Sequence, residues 1–329
     1  MRQEKILHDF FKQYPYLTKN IEKMRTLRGG KYPNWPRWCF LPYVYWKSIL
    51  LGNHSLKQTC IADKQREILD RFLTLGTWRY SQGIYTFHPD FLTALTETSI
   101  DGILPSEVFH RLPEWCVYVK TPGLTWLSKP LHGFWVQNEY NIFNKLSNLH
   151  ILLDSDYERQ TSWRFRTDNS TVVDIINTEI NNLIDAGDSI YSDVLKVKEI
   201  RDYYVMNKSE LLKKLLAIVL YLCSDEPEID DARMPGVYPK YPDRVKTKKG
   251  FRLFPATSPR YWRVGESIGQ VLSQTNSEHV QIATGSTGRH VRAHLRRGHW
   301  HGFWSGKKDE PEQRKFSYHW LPPQLVAGK

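Results

Sequence analysis

The chain has 329 residues, 40% apolar and 25% charged, with four cysteines and a net charge of +11. A chain of this size buries a substantial core, so miniature disulfide-stapled scaffolds are excluded, and its apolar content excludes wholesale disorder. The charge is lopsided: residues 240–329 hold 17 basic and 6 acidic side chains, so residues 1–239 are balanced and the whole excess is C-terminal.

Residues 3–28 read as a helix broken near Pro15, followed by a turn at Gly29 and Gly30 and a proline-punctuated aromatic stretch, KYPNWPRWCFLP, expected to line the core as a loop. The segment 61–81 places Ile61, Ile68, Leu69, Phe72, Leu73 and Leu75 near helical spacing and predicts an amphipathic helix. A short strand, GIYTF at 83–87, comes next. Between 113 and 168 the runs WCVYVK, LHGFWVQNEY, NLHILLD and SWRFRT alternate with Pro, Gly, Ser and Asp, the pattern of an antiparallel meander. Helical periodicity returns at 173–186 and at 209–223, where Asn207 and Glu210 have capping-box spacing and Pro227 lies beyond the end. Residues 225–260 are rich in proline and charge without periodicity, as a long connection would be. A short helix near 263–274, a Ser/Thr/Gly stretch at 275–288, and two strand-like runs at 298–304 and 315–322 complete the chain, the last two as a β-hairpin. The expected fold class is α+β, with helices around an antiparallel sheet. Three parts are expected: a body at 1–224, a connection at 225–260 and a basic, aromatic unit at 261–329.

Cys39, Cys60, Cys116 and Cys223 are far apart and form no C-x-x-C, and the N-terminal residues lack an apolar signal core, which points to a reducing, cytoplasmic setting. The most apolar run, LLKKLLAIVLYLC, is interrupted by Lys213 and Lys214 and is too short for a bilayer, so no membrane partner is expected. Phosphate-loop, dinucleotide, nucleophile-elbow and zincin motifs are missing. The neighbours Glu226/Glu228 and Asp230/Asp231 fit a charged connection better than a metal site. No cofactor is expected.

The densest chemistry lies in GRHVRAHLRRGHWHGFWSG at 288–306. Arginines supply bidentate phosphate contacts and rings stack on unpaired bases, so the expected ligand is single-stranded RNA, bound by Lys246, Lys248, Lys249, Arg289, Arg292, Arg296, Arg297, Trp300 and Trp304. With strand periodicity, His299, His301 and Phe303 share one face while Trp300 and Trp304 take the other. Three roles stand open for His294, His299 and His301: zinc ligation, which the local lack of cysteine disfavours; general acid–base work on a phosphodiester; and structural hydrogen bonding. Trp35, Trp38, Trp78 and Tyr80 are candidates for a peptide groove, with core packing as their alternative.

The blocks TWRYSQGIY (77–85), LPEWCVYV (112–119), HGFW (132–135), YLCSDEPEI (221–229), WRVGESIG (262–269), HLRRGHWHGFWSG (294–306) and YHWLPPQLV (318–326) resemble the type V-A anti-CRISPR family of phages and plasmids, in particular its large inhibitors of effector production. The resemblance implies a protein that recognises the N-terminal peptide of a type V-A Cas effector as it is translated and brings about loss of its messenger RNA. Its expected partners are that nascent peptide and the ribosome or messenger RNA. The alternative is a plasmid- or phage-encoded RNA-binding protein or ribonuclease with another target, and whether the chain is itself an enzyme stays open.

Overall fold

The computed structural model describes residues 1–52, 62–100, 104–158, 160–185, 198–248, 250–274, 294–296, 298–307, 309 and 314–326. The expected first helix divides at Pro15 into α1 (Arg2–Gln13), a 3-10 turn and α2 (Thr18–Thr26), because proline removes a helical donor and fixes its own φ. Next come α3 (Tyr43–Leu51), α4 (Asp63–Trp78), β1 (Gly83–Phe87), α5 (Pro89–Thr96) and a 3-10 turn at Ser106–Arg111. The meander consists of β2 (Cys116–Lys120), β3 (Thr125–Trp126), β4 (Lys129–Tyr140), β5 (Ser147–Ser155) and β6 (Ser162–Arg166). Helices α6 (Val172–Asp185) and α7 (Lys198–Cys223) follow, then β7 (Ile229–Asp231), β8 (Val245–Thr247), β9 (Gly250–Arg252), β10 (Arg260–Val264) and α8 (266–274). The final strands are β11 (His294–Arg296), β12 (His299–Ser305), β13 (Lys315–Leu321) and β14 (Gln324–Val326).

The main sheet runs β6-β5-β4-β2-β1-β10-β7, with β3 beside β4. Pairings from β2 to β6 are antiparallel, as the alternating runs predicted, whereas β1 lies parallel to β2. Thus the fold is α+β, but three expectations need correcting. The 225–260 stretch holds strands β7 to β9 and the start of β10. Asn207 is inside α7, its Nδ2 donating to the carbonyl of Tyr203 at 2.7 Å, so it caps nothing. The chain also does not divide at residues 224 and 260. It forms two compact units, Met1–Tyr85 with Phe109–Asn169 and Asp231–Trp262, and Thr86–Val108 with Ser170–Asp230 and Arg263–Lys329.

The first unit is packed with rings. Trp46 meets Phe72 edge-on at 4.8 Å and Tyr118 meets Trp135 at 4.7 Å. Its sheet also buries a charged group: Arg164 donates to Asp70 and, at 3.0 Å, to Glu139, beside the fully buried His150. Burial, then the neighbouring Arg164 cation, pushes His150 down to about 3, so the ring is neutral at physiological pH. A second buried carboxyl, Glu114, accepts a hydrogen bond from the Tyr85 hydroxyl at 3.0 Å. Gly83 is required beside it, since a Cβ there would come 1.9 Å from Glu114 Oε2.

In the second unit, Phe91 of α5 packs on Tyr221 of α7 at 4.6 Å and on Trp320 of β13 at 5.0 Å. Gly265, at φ +69°, sits where a Cβ would meet the Phe91 ring at 2.0 Å. The C-terminal hairpin is therefore built on α5 and α7, which explains why it does not form a separate unit with 261–274 alone.

Candidate nucleic-acid interface

Strands β12 and β13 pair in a seven-residue antiparallel register that sets Trp300 against Trp320, Gly302 against Tyr318 and Trp304 against Phe316 on one face. The opposite face carries His299, His301, Phe303 and Ser305 against Leu321, His319, Ser317 and Lys315. The inner row on β13 is buried. Trp320 Nε1 donates to Thr98 Oγ1 at 3.1 Å, and the Tyr318 hydroxyl donates to the Leu220 carbonyl at 2.9 Å. Trp300, half-buried beside Tyr318, belongs to this packed row and serves as an anchor rather than a stacking platform. Trp304 is 47% exposed, with Phe316 at 5.0 Å and the Arg314 guanidinium 5.5 Å from its ring centroid.

The outward face is open. Phe303 is 45% exposed and lies between two imidazoles, His301 at 6.0 Å and His319 at 6.3 Å. His301 and His319 are direct cross-strand partners, which places both rings on one small patch. Residue pairing at the hairpin, not spacing along one strand, brings them together, so the 294–301 sequence alone does not reveal His319 as a neighbour of His301. No group of three or more His, Cys, Asp or Glu residues is arranged to hold a metal ion among the described residues. A solvated ring flanked by imidazoles, with Lys315 on the strand opposite, can stack on a base and neutralise phosphate.

The hairpin's position comes from the 221–229 block. Asp225 holds β13 by three contacts: its N–H donates to the Tyr318 carbonyl at 3.1 Å, its own carbonyl lies 3.1 Å from the His319 side chain at Nδ1, and its Oδ2 accepts from the Tyr318 N–H at 2.8 Å. Glu228 caps α8, accepting from the Ser267 N–H at 2.7 Å and from the Ile268 N–H at 3.3 Å, where the helix dipole favours an anion. The Tyr221 hydroxyl accepts from the Glu228 N–H at 3.0 Å. Most of three blocks noted in the sequence, 221–229, 263–269 and 318–326, thus interlock in the second unit as scaffold.

The remaining expected contacts are divided. Lys246 and Lys248 are exposed on the small β8–β9 hairpin, which belongs to the first unit, whereas β12 belongs to the second. The backbones of His294 and Arg296 pair with Val326 and Gln324. Lys249, Arg289, Arg292 and Arg297 lie outside the described residues. Of the peptide-groove candidates, Trp35, Trp78 and Tyr80 are buried in the core of the first unit, and Trp78 Nε1 donates inward to the Gly83 carbonyl at 2.9 Å. They are packing residues. Trp38 keeps some surface, its ring stacked on His110 at 4.1 Å.

This α+β arrangement defines a class already solved: over 97% of both chains it matches the crystal structure of AcrVA2, with a TM-score of 0.64 and 22% identity. The AcrVA2-like profile, Anti-CRISPR type V subtype A2 family, matches residues 85–328, and the chain belongs to that family. It is also 28% identical to Protein FinQ of Escherichia coli over 265 residues, 76% of this chain and 74% of that one. No described helix is long and apolar enough to cross a membrane.

Proposed function

We propose that this anti-CRISPR protein suppresses production of a type V-A Cas effector by recognising its nascent N-terminal peptide and causing loss of its messenger RNA in the host cytoplasm. The observation that carries the reading is the separation of charge: residues 1–239 are balanced, while the +11 excess lies in 240–329, on segments that include the two exposed hairpins. An inhibitor that occluded a finished nuclease would have no need of a polycationic, ring-bearing surface. One that works beside RNA does. Among the peptide-groove candidates, Trp38 with His110 is the pair that retains surface for an aromatic contact.

A second reading, ribonuclease, is favoured by one observation, the facing His301 and His319. Two facing imidazoles suit general acid–base transfer on a phosphodiester. Purified protein incubated with labelled RNA separates the two. The main test measures effector protein and transcript in cells carrying a type V-A system, alongside DNA cleavage by preformed effector. The proposal expects both levels to fall while preformed effector keeps cutting. Unchanged transcript, or direct block of an assembled effector, would overturn it.

A further inference from the structure

The first unit contains an arginine cluster unlike its other buried charges. Arg25 is only 8% exposed, and its guanidinium lies between the rings of Phe40, at 4.4 Å, and Trp115, at 4.3 Å. Trp115 in turn stacks on Tyr241 at 5.2 Å with the planes 6° apart, and Arg37 covers Tyr241 at 5.7 Å. Arg28, one turn beyond Arg25, lies 5.2 Å from the Trp35 ring centroid. Arg25 Nη1 donates to the Phe40 carbonyl and Arg28 Nη2 to the Trp35 carbonyl, but the Nε–H of each is buried without an acceptor.

The Trp115–Tyr241 stack brings Arg244 into the same neighbourhood. Burial and the nearby Arg244 and Arg28 cations pull Arg25 down to about 10, and burial with Arg244 lowers Arg28. Arg25 remains protonated at neutral pH. None of the three forms an ion pair with a carboxylate among the described residues, whereas Arg164 in the same unit has two. Asp243, next to Arg244 in sequence, is held by Lys240 at 2.8 Å. A guanidinium buried as deeply as Arg25, beside further cations and without a counterion, costs stability, and a bound anion offsets that cost.

We infer that Arg28 and Arg244, backed by Arg25 between Phe40 and Trp115, form a phosphate-binding site for the backbone of single-stranded RNA. The strip that begins at Arg244 continues through exposed Lys246, Lys248 and Arg252. Phe251, 62% exposed, stands beside it as a stacking ring. A repeating anion matches such a strip better than a single carboxylate does. Arginine forks also suit phosphate oxygens. This inference rests on the reading that the protein works on RNA, and it places one RNA contact partly in the balanced portion of the chain.

The test uses the full chain and a fluorescent oligouridylate, with anisotropy titrations across about 50–200 mM salt. Arg28→Ala with Arg244→Ala should lower the log–log salt slope by roughly 1.4, at about 0.7 per lost phosphate contact on a single strand. Arg244→Glu, at an exposed position, should weaken binding further than Arg244→Ala without lowering the unfolding temperature. An unchanged slope in the double variant would overturn this site while leaving RNA binding itself intact. Wild-type protein that binds no oligouridylate would overturn both the site and the RNA reading. Equal displacement of the RNA by oligoglutamate would assign the cluster to carboxylates and overturn the phosphate site.

Discussion

Glu114→Gln should flatten a pH dependence that the buried carboxyl imposes on folding. Burial pushes Glu114 up from 4.5 to about 8, opposed by the hydrogen bond from Tyr85 and the field of Arg260. Between those values the folded chain binds more protons than the unfolded one, so stability is highest near pH 4.5 and falls as pH rises towards about 8. At about 1.4 kcal/mol per pH unit, the gap corresponds to on the order of 5 kcal/mol as an upper bound, because water entry and local rearrangement would relieve part of it. Glutamine keeps an acceptor for the Tyr85 hydroxyl and carries no charge, so the variant should lose this slope and exceed the wild type in stability above pH 8. Urea unfolding of both proteins at several pH values from 5 to 9 measures it. Subtracting one curve from the other removes the contributions of Asp70, Glu139 and His150, which both proteins share. Parallel curves across that range would refute the reasoning, showing Glu114 to be ionised in the fold at neutral pH.

Two further outcomes follow from the hairpin. Trp320→Ala removes a buried ring that touches Phe91 and a hydrogen bond to Thr98, and should cost about 3–5 kcal/mol, read by chemical denaturation. His301→Ala with His319→Ala removes one exposed imidazole and the His319 contact to the Asp225 carbonyl, so it should cost about 1 kcal/mol in unfolding. If the protein is an adaptor, the pair variant keeps peptide binding and neither protein cuts labelled RNA; cutting by the wild type that disappears in the variant would establish the ribonuclease.

The strand periodicity of GHWHGFW foretold which residues share a face, and the register confirms it, because alternation is a local property of the backbone. The break at Pro15 and the amphipathic α4 were legible for the same reason. What escaped was non-local or uniform. Helix α3, YVYWKSILL, is apolar on most sides and offers no stripe, and β10, RYWRV, is too short to stand out from its basic surroundings. The interleaved compact units depend on contacts between segments that composition treats as separate. Among site residues, His319 needed the cross-strand register to be seen beside His301. Trp35, Trp78 and Tyr80 looked like recognition aromatics only while their burial was unknown. Arg25 and Arg28 drew no notice, since a balanced stretch of sequence conceals a cluster of one sign made by folding.

The central claim, recognition of the effector's nascent peptide, is tested most directly by recoding. Two effector genes are expressed with this protein, one with synonymous changes in its first codons and one with the encoded residues altered, and effector protein and transcript are measured for each. Recognition of peptide predicts that the synonymous gene is suppressed as strongly as the original, whereas the residue-altered gene escapes. Escape of the synonymous gene, or equal suppression of both, would contradict it.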